Sequence, residues 1–312
     1  MSKLKGLLLT EGLHGMISQV EGLAKALDLD YFHEKIELNI PWNLIPPTFT
    51  PTKKFVFKNE INKDYDVIIS CGRKSIIPSI FLKKNSNKKI INIHIQNPKV
   101  SLKHFDFVIA PDHDSIHGPN VIISKGAIHY LTINEIDEAK DYLANKIEKE
   151  KDVLTLILGG PTKYYKYSNE NIIQIFSKIN KQILEKNLQL IVIPSNRTPE
   201  NIIQFAKEYF GKNHLIVDTV DKQSYLSSLA LAKYLIVTCD SSSMISEAAL
   251  TGKPLYVATI PAIRSDKRFR KFRNLLEEMN IIRKLEDELD TWSYEKLDET
   301  NRIAKQIKAK LS

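Results

Sequence analysis

The feature that most constrains this fold is the alternation of short apolar segments with longer amphipathic ones. The segment GLLLT precedes SQVEGLAKAL, YDVIIS precedes SIIPSIFLKK, DVLTLILGG precedes NENIIQIFSKINKQILEK, and LQLIVIPS precedes PENIIQFAKEYF. Short β-rich segments that alternate with helices of about ten or more residues are typical of parallel sheets with crossover helices. The sequence therefore predicts an α/β fold.

The same alternation occurs twice along the 312 residues, a length that suits about two domains. The charged segment 132–152 separates the two sets and is predicted to form a helix and a linker. We therefore predict a Rossmann-like N-terminal domain over residues 1–148 and a second Rossmann-like domain over 149–295. The last stretch, 296–312, is predicted to be a helix that completes the first domain.

Composition indicates a globular protein, with 43% hydrophobic and 26% charged residues. The two cysteines, Cys71 and Cys239, each end an apolar segment, which favours buried thiols in a reducing compartment over a disulfide. The start of the chain is interpreted as a first strand and not as a secretion signal, so we expect a cytoplasmic location. The net charge of +8 reflects either solvated lysines or an attraction to phosphates.

Ligands of open parallel sheets bind at the carboxyl ends of the strands, and TCDSSSMISEAALTGKPLYV has this context. The start of a helix exposes backbone N–H groups and a positive dipole end, which together bind phosphates. Ser241, Ser242 and Ser243 add hydroxyl donors there. Glu247 lies one helical turn beyond Ser243, where its carboxylate suits ribose hydroxyls. The alternative is that the serines only cap a helix.

Two other strand ends have a similar character. LGGPTKYYKYS offers Gly159 and Gly160 for close backbone approach and Thr162 for a phosphate contact or a cap. PSNRTP offers Ser195 and Arg197, and an arginine at a strand end either binds a phosphate or forms a surface ion pair. Neither loop matches the glycine fingerprints of P-loop or dinucleotide-binding proteins.

The first half offers candidates for acid–base chemistry. TEGLHGMISQ places Glu11 and His14 beside glycines, and either side chain suits a general base. SCGRKS places Arg73 at another strand end. His113 and His117 have the spacing of a helical metal pair, but Gly118 and Pro119 follow and disfavour a helix. We therefore expect no metal site.

The most basic stretch, Arg264–Arg273, contains four of the eight arginines together with Phe269 and Phe272. It is either an exposed basic helix with two aromatic anchors or a contact for phosphates or an anionic membrane. No recognised nucleic-acid motif accompanies it, so we expect no nucleic-acid partner.

Together, the blocks TEGLHGMISQVEGLAKAL, DVIISCGRKSIIPSIFL, LILGGPTK, IPSNRTP and VTCDSSSMISEAALTGKPLYV resemble the mitochondrial-fission "elongated mitochondria" family, which has a plant founder and many bacterial members. The resemblance covers almost the whole chain. It implies a GT-B-like architecture, in which two Rossmann-like domains face a central cleft. The serine-rich block also resembles the donor-binding helix of GT-B glycosyltransferases, and the first loop resembles the acceptor-side loop of the transferase that completes lipid II.

On this resemblance we expect a glycosyltransferase that takes a nucleotide-sugar donor, needs no cofactor and acts on a membrane-associated or cell-envelope acceptor. Glu11 or His14 is then the base, and Arg73 steadies developing charge. The expected donor contacts are Gly159, Gly160, Thr162, Ser195, Arg197, Ser241, Ser242, Ser243 and Glu247. Two alternatives stay open. One is an epimerase of nucleotide sugars, and the other is a non-catalytic adaptor at a membrane.

Overall fold

Each half of the chain folds around its own six-stranded parallel sheet, in a computed structural model that describes residues 3–61, 63–286 and 288–311. The first half contains β1 (Lys5–Thr10), α1 (His14–Ala26), β2 (Asp30–Lys35), β3 (Val67–Cys71), α2 (Ile76–Lys84), β4 (Ile91–Ile95), β5 (Phe107–Pro111) and β6 (Val121–Ser124). Their order across the sheet is β2-β1-β3-β4-β5-β6.

The second half contains α3 (Ile133–Glu138), α4 (Asp141–Ala144), β7 (Val153–Leu158), α5 (Asn169–Lys186), β8 (Gln189–Pro194), α6 (Glu200–Phe210), β9 (Leu215–Ile216), α7 (Lys222–Leu231), β10 (Ala232–Thr238), α8 (Ser242–Ala249), β11 (Leu255–Ala258), α9 (Lys267–Glu278) and β12 (Ile282–Lys284). The sheet order is β12-β11-β10-β7-β8-β9. The final helix is α10 (Glu299–Leu311).

Helices cover both faces of the first sheet, as its nearly continuous apolar strands require. Leu8 of β1 packs on one face with Leu23 of α1 and Ile303 of α10. Its neighbours Leu7 and Leu9 belong to a separate core cluster of buried side chains. Successive side chains of a strand point to opposite faces, so the unbroken run LLL supplies both layers.

The chain divides into two compact units, one from the N-terminus to Tyr130 plus the residues from Asp298 onward, the other Leu131–Leu297. Glu299 accepts a hydrogen bond from the Lys125 amide at 2.7 Å, and Arg302 donates one to the Ile123 carbonyl at 2.7 Å. These two hydrogen bonds hold α10 in the first unit. The segment around α3 and α4 packs on α7 within the second unit.

The α/β fold class predicted from the sequence is confirmed, but two strands were not predicted. Both β2 and β12 are edge strands of their sheets. The side chains of β2 are half-buried or exposed, and its sequence DYFHEK has no apolar run to reveal it. Among the described residues, no helix combines the length and apolar character needed to span a bilayer.

Candidate functional site

Each sheet has one topological switch point, where successive connections leave in opposite directions. In the first sheet it lies between β1 and β3, and in the second between β7 and β10. Such a divergence opens a crevice at the carboxyl ends of the two strands, and ligands of open α/β sheets bind there. Candidate residues of both halves follow the strands at these two points.

The loop after β7 has no room for side chains at two positions. A Cβ atom at Gly159 would lie 2.2 Å from the carboxylate of Asp240, and one at Gly160 would lie 2.0 Å from the carbonyl oxygen of Arg197. The Gly159 amide donates to Thr238 Oγ1 at 2.8 Å, and the Gly160 amide donates to Asp240 at 3.2 Å. The glycines therefore let the loops after β7, β8 and β10 meet.

Asp240, which follows β10, is the buried centre of this junction. Its carboxylate accepts hydrogen bonds from the Tyr167 hydroxyl at 2.6 Å, from Thr238 Oγ1 at 2.8 Å and from Arg197 Nη2 at 2.8 Å. A buried charge is tolerated only when it is paired in this way. Burial and the adjacent Asp240 charge raise the pKa of Tyr167, so this phenol stays a neutral donor.

The loop after β8 holds Arg197 in one geometry. Arg197 Nη1 donates to the Gly160 carbonyl at 2.8 Å, while Arg197 Nη2 donates to the Asp240 carboxylate. Ser195 Oγ accepts from the Arg197 amide at 3.3 Å, and Thr198 Oγ1 donates toward the Leu158 carbonyl at 2.9 Å. The Arg197 side chain is still 40% exposed, so it remains accessible from solvent.

A second arginine contacts the same strand end from the interior. Arg273 is buried and donates to the Cys239 carbonyl at 3.3 Å, to Tyr165 Oη at 3.1 Å and to Asp266 at 3.2 Å. Burial alone would raise the pKa of Asp266, but the hydrogen bonds from Tyr165 and Arg273 outweigh it and the net shift is downward. The ion pair of Arg273 and Asp266 therefore stabilises the end of β10.

The start of α8 follows directly. Ser241 is its N-cap and accepts from the Met244 amide at 3.3 Å, so the capping alternative holds for this serine. Ser242 and Ser243 are half-buried in the first turn, where helix geometry leaves amide groups without intrahelical acceptors. One turn on, Glu247 accepts from the Tyr225 hydroxyl at 2.8 Å. Burial raises the pKa of Glu247 to about 7, against the opposing effect of that bond.

Thr162 has a local role. Its hydroxyl accepts from the Tyr164 amide at 3.1 Å and from the Tyr165 amide at 3.2 Å, and its own amide donates to the Tyr165 carbonyl at 3.0 Å. These bonds close a turn that directs Tyr165 toward Asp266. Thr162 therefore shapes the loop after β7, and no bond joins it to the Asp240 junction among the described residues.

At the switch point of the first sheet, Glu11 is the main charged group. Its carboxylate accepts from the Lys74 amide at 3.1 Å and pairs with Lys74 Nζ at 3.4 Å. A Cβ atom added to Gly72 would lie 3.2 Å from Glu11 Oε1. The carboxylate at the end of β1 therefore reaches across to the loop after β3.

His14 and Arg73, the other two candidates of the first half, point elsewhere. His14 is the first residue of α1, and its ring meets Tyr130 edge-on at a centroid distance of 6.2 Å. Arg73 donates to the carbonyl of Ile45 at 2.9 Å and also to that of Asn43. The guanidinium of Arg73 is thus already bound to a loop of its own unit.

The basic stretch Arg264–Arg273 begins before α9 and continues into it. Asp266 pairs with Arg270 at 3.0 Å as well as with Arg273. Phe269 packs edge-on against Tyr164 and Tyr165, and Phe272 is buried. Both aromatic side chains therefore pack within the second unit, and contact of this stretch with an anionic membrane stays a prediction.

Sequence analysis missed several residues that build this site, namely Tyr165, Tyr167, Thr198, Tyr225 and Asp266. Each acts through a side-chain hydroxyl or carboxylate on a partner distant in sequence; Tyr167 and Asp240 are 73 residues apart. Ser241 caps α8, whereas Asp240, the residue before it, faces the loop after β7. An aspartate close after an apolar segment, as in LIVTCD, is the sequence signal that could have revealed the junction.

Solved structures share this two-unit architecture over essentially the whole chain. The kitacinnamycin glycotransferase matches with a TM-score of 0.56 and 11% identity over 100% of both chains. UDP-GlcNAc 2-epimerase from Neisseria meningitidis, solved with UDP-GlcNAc bound, matches with a TM-score of 0.53 and 12% identity over 99% of both chains. The fold therefore defines the class: a GT-B-like protein, with the architecture of glycosyltransferases and nucleotide-sugar epimerases.

Within that class, residues 14–311 match the model of the family Mitochondrial fission ELM1, and the chain belongs to this family. An uncharacterised protein of Rickettsia prowazekii is 29% identical over 282 residues, which cover 78% of this chain and 79% of the relative. Mitochondrial fission protein ELM1 of Arabidopsis thaliana is 24% identical over 275 residues, covering 79% of this chain and 64% of the plant protein. The chain thus spans less than two thirds of the plant protein's length.

Proposed function

We propose that the chain is a GT-B-type glycosyltransferase that uses a nucleotide-sugar donor. The observation that carries this proposal is Arg197, held between the Gly160 carbonyl and buried Asp240 at the switch point where α8 begins. Solved structures of the same fold hold nucleotide sugars, as the epimerase of N. meningitidis does. The proposal is completed by an acceptor associated with a membrane or the cell envelope, and by a cytoplasmic location.

In this proposal the diphosphate of the donor lies against the first turn of α8. The amides and hydroxyls of Ser242 and Ser243 donate to it, and the helix dipole favours its negative charge. Arg197 adds directional donors, but little net charge because Asp240 neutralises it. Glu247, which is partly protonated near neutral pH, binds a ribose or sugar hydroxyl.

The acceptor is assigned to the first unit. Glu11 accepts the proton of the acceptor hydroxyl as its oxygen bonds to the anomeric carbon, and the nucleoside diphosphate leaves with the electrons of the broken bond. The helix end and Arg197 stabilise the leaving group, so the proposal requires neither a metal nor a cofactor. His14 is the alternative base, and Arg73 supports the loop beside the acceptor.

Thermal melting tests this proposal with UDP, GDP, ADP and their sugar conjugates. A ligand that binds only the folded chain stabilises it by about 2.7 kcal/mol at a hundredfold excess over Kd, which is a rise of several degrees in Tm. Arg197→Lys is expected to weaken the effective nucleotide about tenfold to a hundredfold. Arg283→Lys is the matched control, since Arg283 is also 40% exposed and paired with a carboxylate. No shift with any nucleotide would contradict the proposal.

An epimerase of nucleotide sugars is the second candidate, favoured by structural similarity. UDP-GlcNAc 2-epimerase from Methanocaldococcus jannaschii covers 99% of this chain with a TM-score of 0.53. Incubation with labelled nucleotide sugars separates the two activities, because transfer releases a nucleoside diphosphate and epimerisation leaves the conjugate intact. Absence of nucleotide binding would favour the adaptor alternative, which the fission family suggests.

A further inference from the structure

The first unit carries an exposed apolar segment that the proposed function does not use. This segment, residues 38–58, is called the apolar loop. Ile40, Leu44, Phe49 and Phe55 lie within it and are between 58% and 82% exposed. Single exposed apolar residues are common, but four in one segment of 21 residues mark a binding surface.

The backbone of the apolar loop is fixed from within. Asn39 joins its two ends, since its amide donates to the Val56 carbonyl at 2.9 Å and its side chain donates to the Phe55 carbonyl at 2.8 Å. The rings of Trp42 and Phe55 pack at a centroid distance of 5.9 Å. Val56 and Phe57 are buried in the core of the unit. The exposed side chains are therefore presented by an ordered scaffold.

Further bonds attach the apolar loop to the sheet. Arg73, just after β3, binds the carbonyls of Asn43 and Ile45. Thr48 Oγ1 donates to the Lys99 carbonyl at 2.8 Å. The loop is thus held at the carboxyl-terminal side of the first sheet, where the switch point with Glu11 also lies.

The charges of the apolar loop have one sign. It contains Lys53, Lys54 and Lys58 and no acidic residue. Lys58 pairs with Glu37 outside the loop at 3.4 Å and Lys54 Nζ donates to the Asn59 carbonyl at 2.6 Å, whereas exposed Lys53 has no carboxylate partner among the described residues. Exposed Lys99 lies next to the segment through its bond with Thr48. Apolar side chains are therefore accompanied by cations.

We propose that the apolar loop docks the first unit onto the surface of a bilayer that contains anionic phospholipid. Leu, Ile and Phe side chains enter the boundary between head groups and acyl chains, while lysines meet the lipid phosphates. Protein interfaces are instead depleted in lysine, so this composition favours lipid over a protein partner. Docking does not rest on the proposed function; if that function holds, the acceptor would be lipid-linked.

The basic stretch Arg264–Arg273 is the competing membrane surface, and it lacks the apolar component. Phe269 and Phe272 pack inside the second unit, and Asp266 neutralises part of its charge. Purely electrostatic attraction falls steeply with salt, whereas insertion of apolar side chains does not. The two surfaces are therefore distinguishable by experiment.

Sedimentation of the full chain with vesicles tests the proposal, without nucleotide, so that a failure here is independent of donor binding. One set of vesicles is phosphatidylcholine, and the other contains equal parts of phosphatidylcholine and phosphatidylglycerol. The chain is expected to bind the anionic set several-fold or more tightly. Leu44→Ser/Phe49→Ser should lower binding at least tenfold, and Lys53→Gln/Lys54→Gln should lower it several-fold on anionic vesicles only.

Two controls define specificity, and circular dichroism melts confirm that every variant folds. Leu184→Ser replaces a side chain of α5 that is 74% exposed and should leave binding unchanged. Arg264→Gln/Lys267→Gln should also leave it nearly unchanged. Equal binding by the chain and its Leu44→Ser/Phe49→Ser variant would overturn the proposal. So would a dimer in light scattering that this variant abolishes while neither protein binds vesicles, since the loop would then contact a second copy.

Discussion

The switch points of the two sheets share a topology and differ in how their carboxylates are used. In the second unit Asp240 is buried and bound by Tyr167, Thr238, Arg197 and a backbone amide. In the first unit the two carboxylate oxygens of Glu11 are bound by a single residue, through the amide and ammonium groups of Lys74. Asp240 therefore joins several loops, whereas Glu11 is linked to one residue of the loop after β3.

This difference separates structural from chemical roles. A saturated, buried carboxylate such as Asp240 has no lone pair to offer a substrate, but it fixes Arg197 and two loops in place. The Glu11 side chain is 17% exposed and is bound by Lys74, and under the proposed function it accepts the proton of the acceptor hydroxyl. Under the proposed function, the second unit supplies the anion site and the first unit supplies the base.

The largest predicted effect is the loss of stability on removing Asp240. Asp240→Ala removes the buried carboxylate that pairs with Arg197 and accepts from Tyr167, Thr238 and the Gly160 amide, and should cost about 3–5 kcal/mol in the free energy of unfolding. Urea denaturation measures it. Asp218→Ala removes an exposed aspartate that pairs with Lys207 and should cost less than about 0.5 kcal/mol. Similar unfolding costs for Asp240→Ala and Asp218→Ala would contradict the structural role of Asp240.

The next effect concerns glycines at the two switch points. Gly160→Ala drives a Cβ atom against the backbone of Arg197 at 2.0 Å and should cost about 3 kcal/mol. Gly72→Ala meets the flexible side chain of Met16 at 2.6 Å and needs a φ of +92°, so about 1–2 kcal/mol is expected. Gly15→Ala, in α1 with open space around it, should stabilise by about 0.5–1 kcal/mol. Thermal denaturation of the three variants gives the order of their stabilities. A reversed order would contradict the close approach of the backbone at Gly160.

These effects show what the sequence could predict. The buried strands and their polar ends were predictable, because apolar runs such as LILGG and LIVTCD are continuous. The edge strands β2 and β12 were not, because DYFHEK and IRK mix charged and apolar residues, whereas the other two edge strands, β6 and β9, are apolar. The partner of Asp240 was also unpredictable, since Tyr167 reaches it only after the loop of β7 folds back.

A smaller effect is the pH dependence contributed by Glu247. Its pKa of about 7 exceeds the ordinary value, so the fold favours the protonated acid. This stabilisation is complete below about pH 4 and is lost as pH rises to about 7. Glu247→Gln should therefore match the wild type at low pH and exceed its stability above neutral pH by on the order of 2 kcal/mol. Urea melts across pH measure the difference.

The exposed Glu208→Gln is the control for that series and should show no such divergence. Divergence in the opposite sense, with Glu247→Gln weakest at high pH, would mean that the carboxylate is stabilised in its charged form.

The smallest effect on stability is expected at Glu11, where a substitution should cost much less unfolding free energy than at Asp240. Glu11→Gln keeps one acceptor for the Lys74 amide and should cost less than about 1 kcal/mol. Under the proposed function it should lower transfer about a hundredfold while nucleotide binding is unchanged. Turnover of a labelled donor and its thermal shift measure the two quantities. Unchanged turnover with active protein would assign the base to another group, His14 first.

Hydrogen exchange of backbone amides, with and without the nucleotide that raises Tm most, tests whether the nucleotide site lies at the Asp240 junction. We expect slower exchange in residues 159–162, 195–198 and 241–247, where the loops after β7, β8 and β10 meet. Exchange in residues 10–14 and 72–75 of the first unit should be unchanged. Slower exchange confined to the first unit, or no change anywhere with a nucleotide that raises Tm, would contradict the assignment of a nucleotide site to the Asp240 junction.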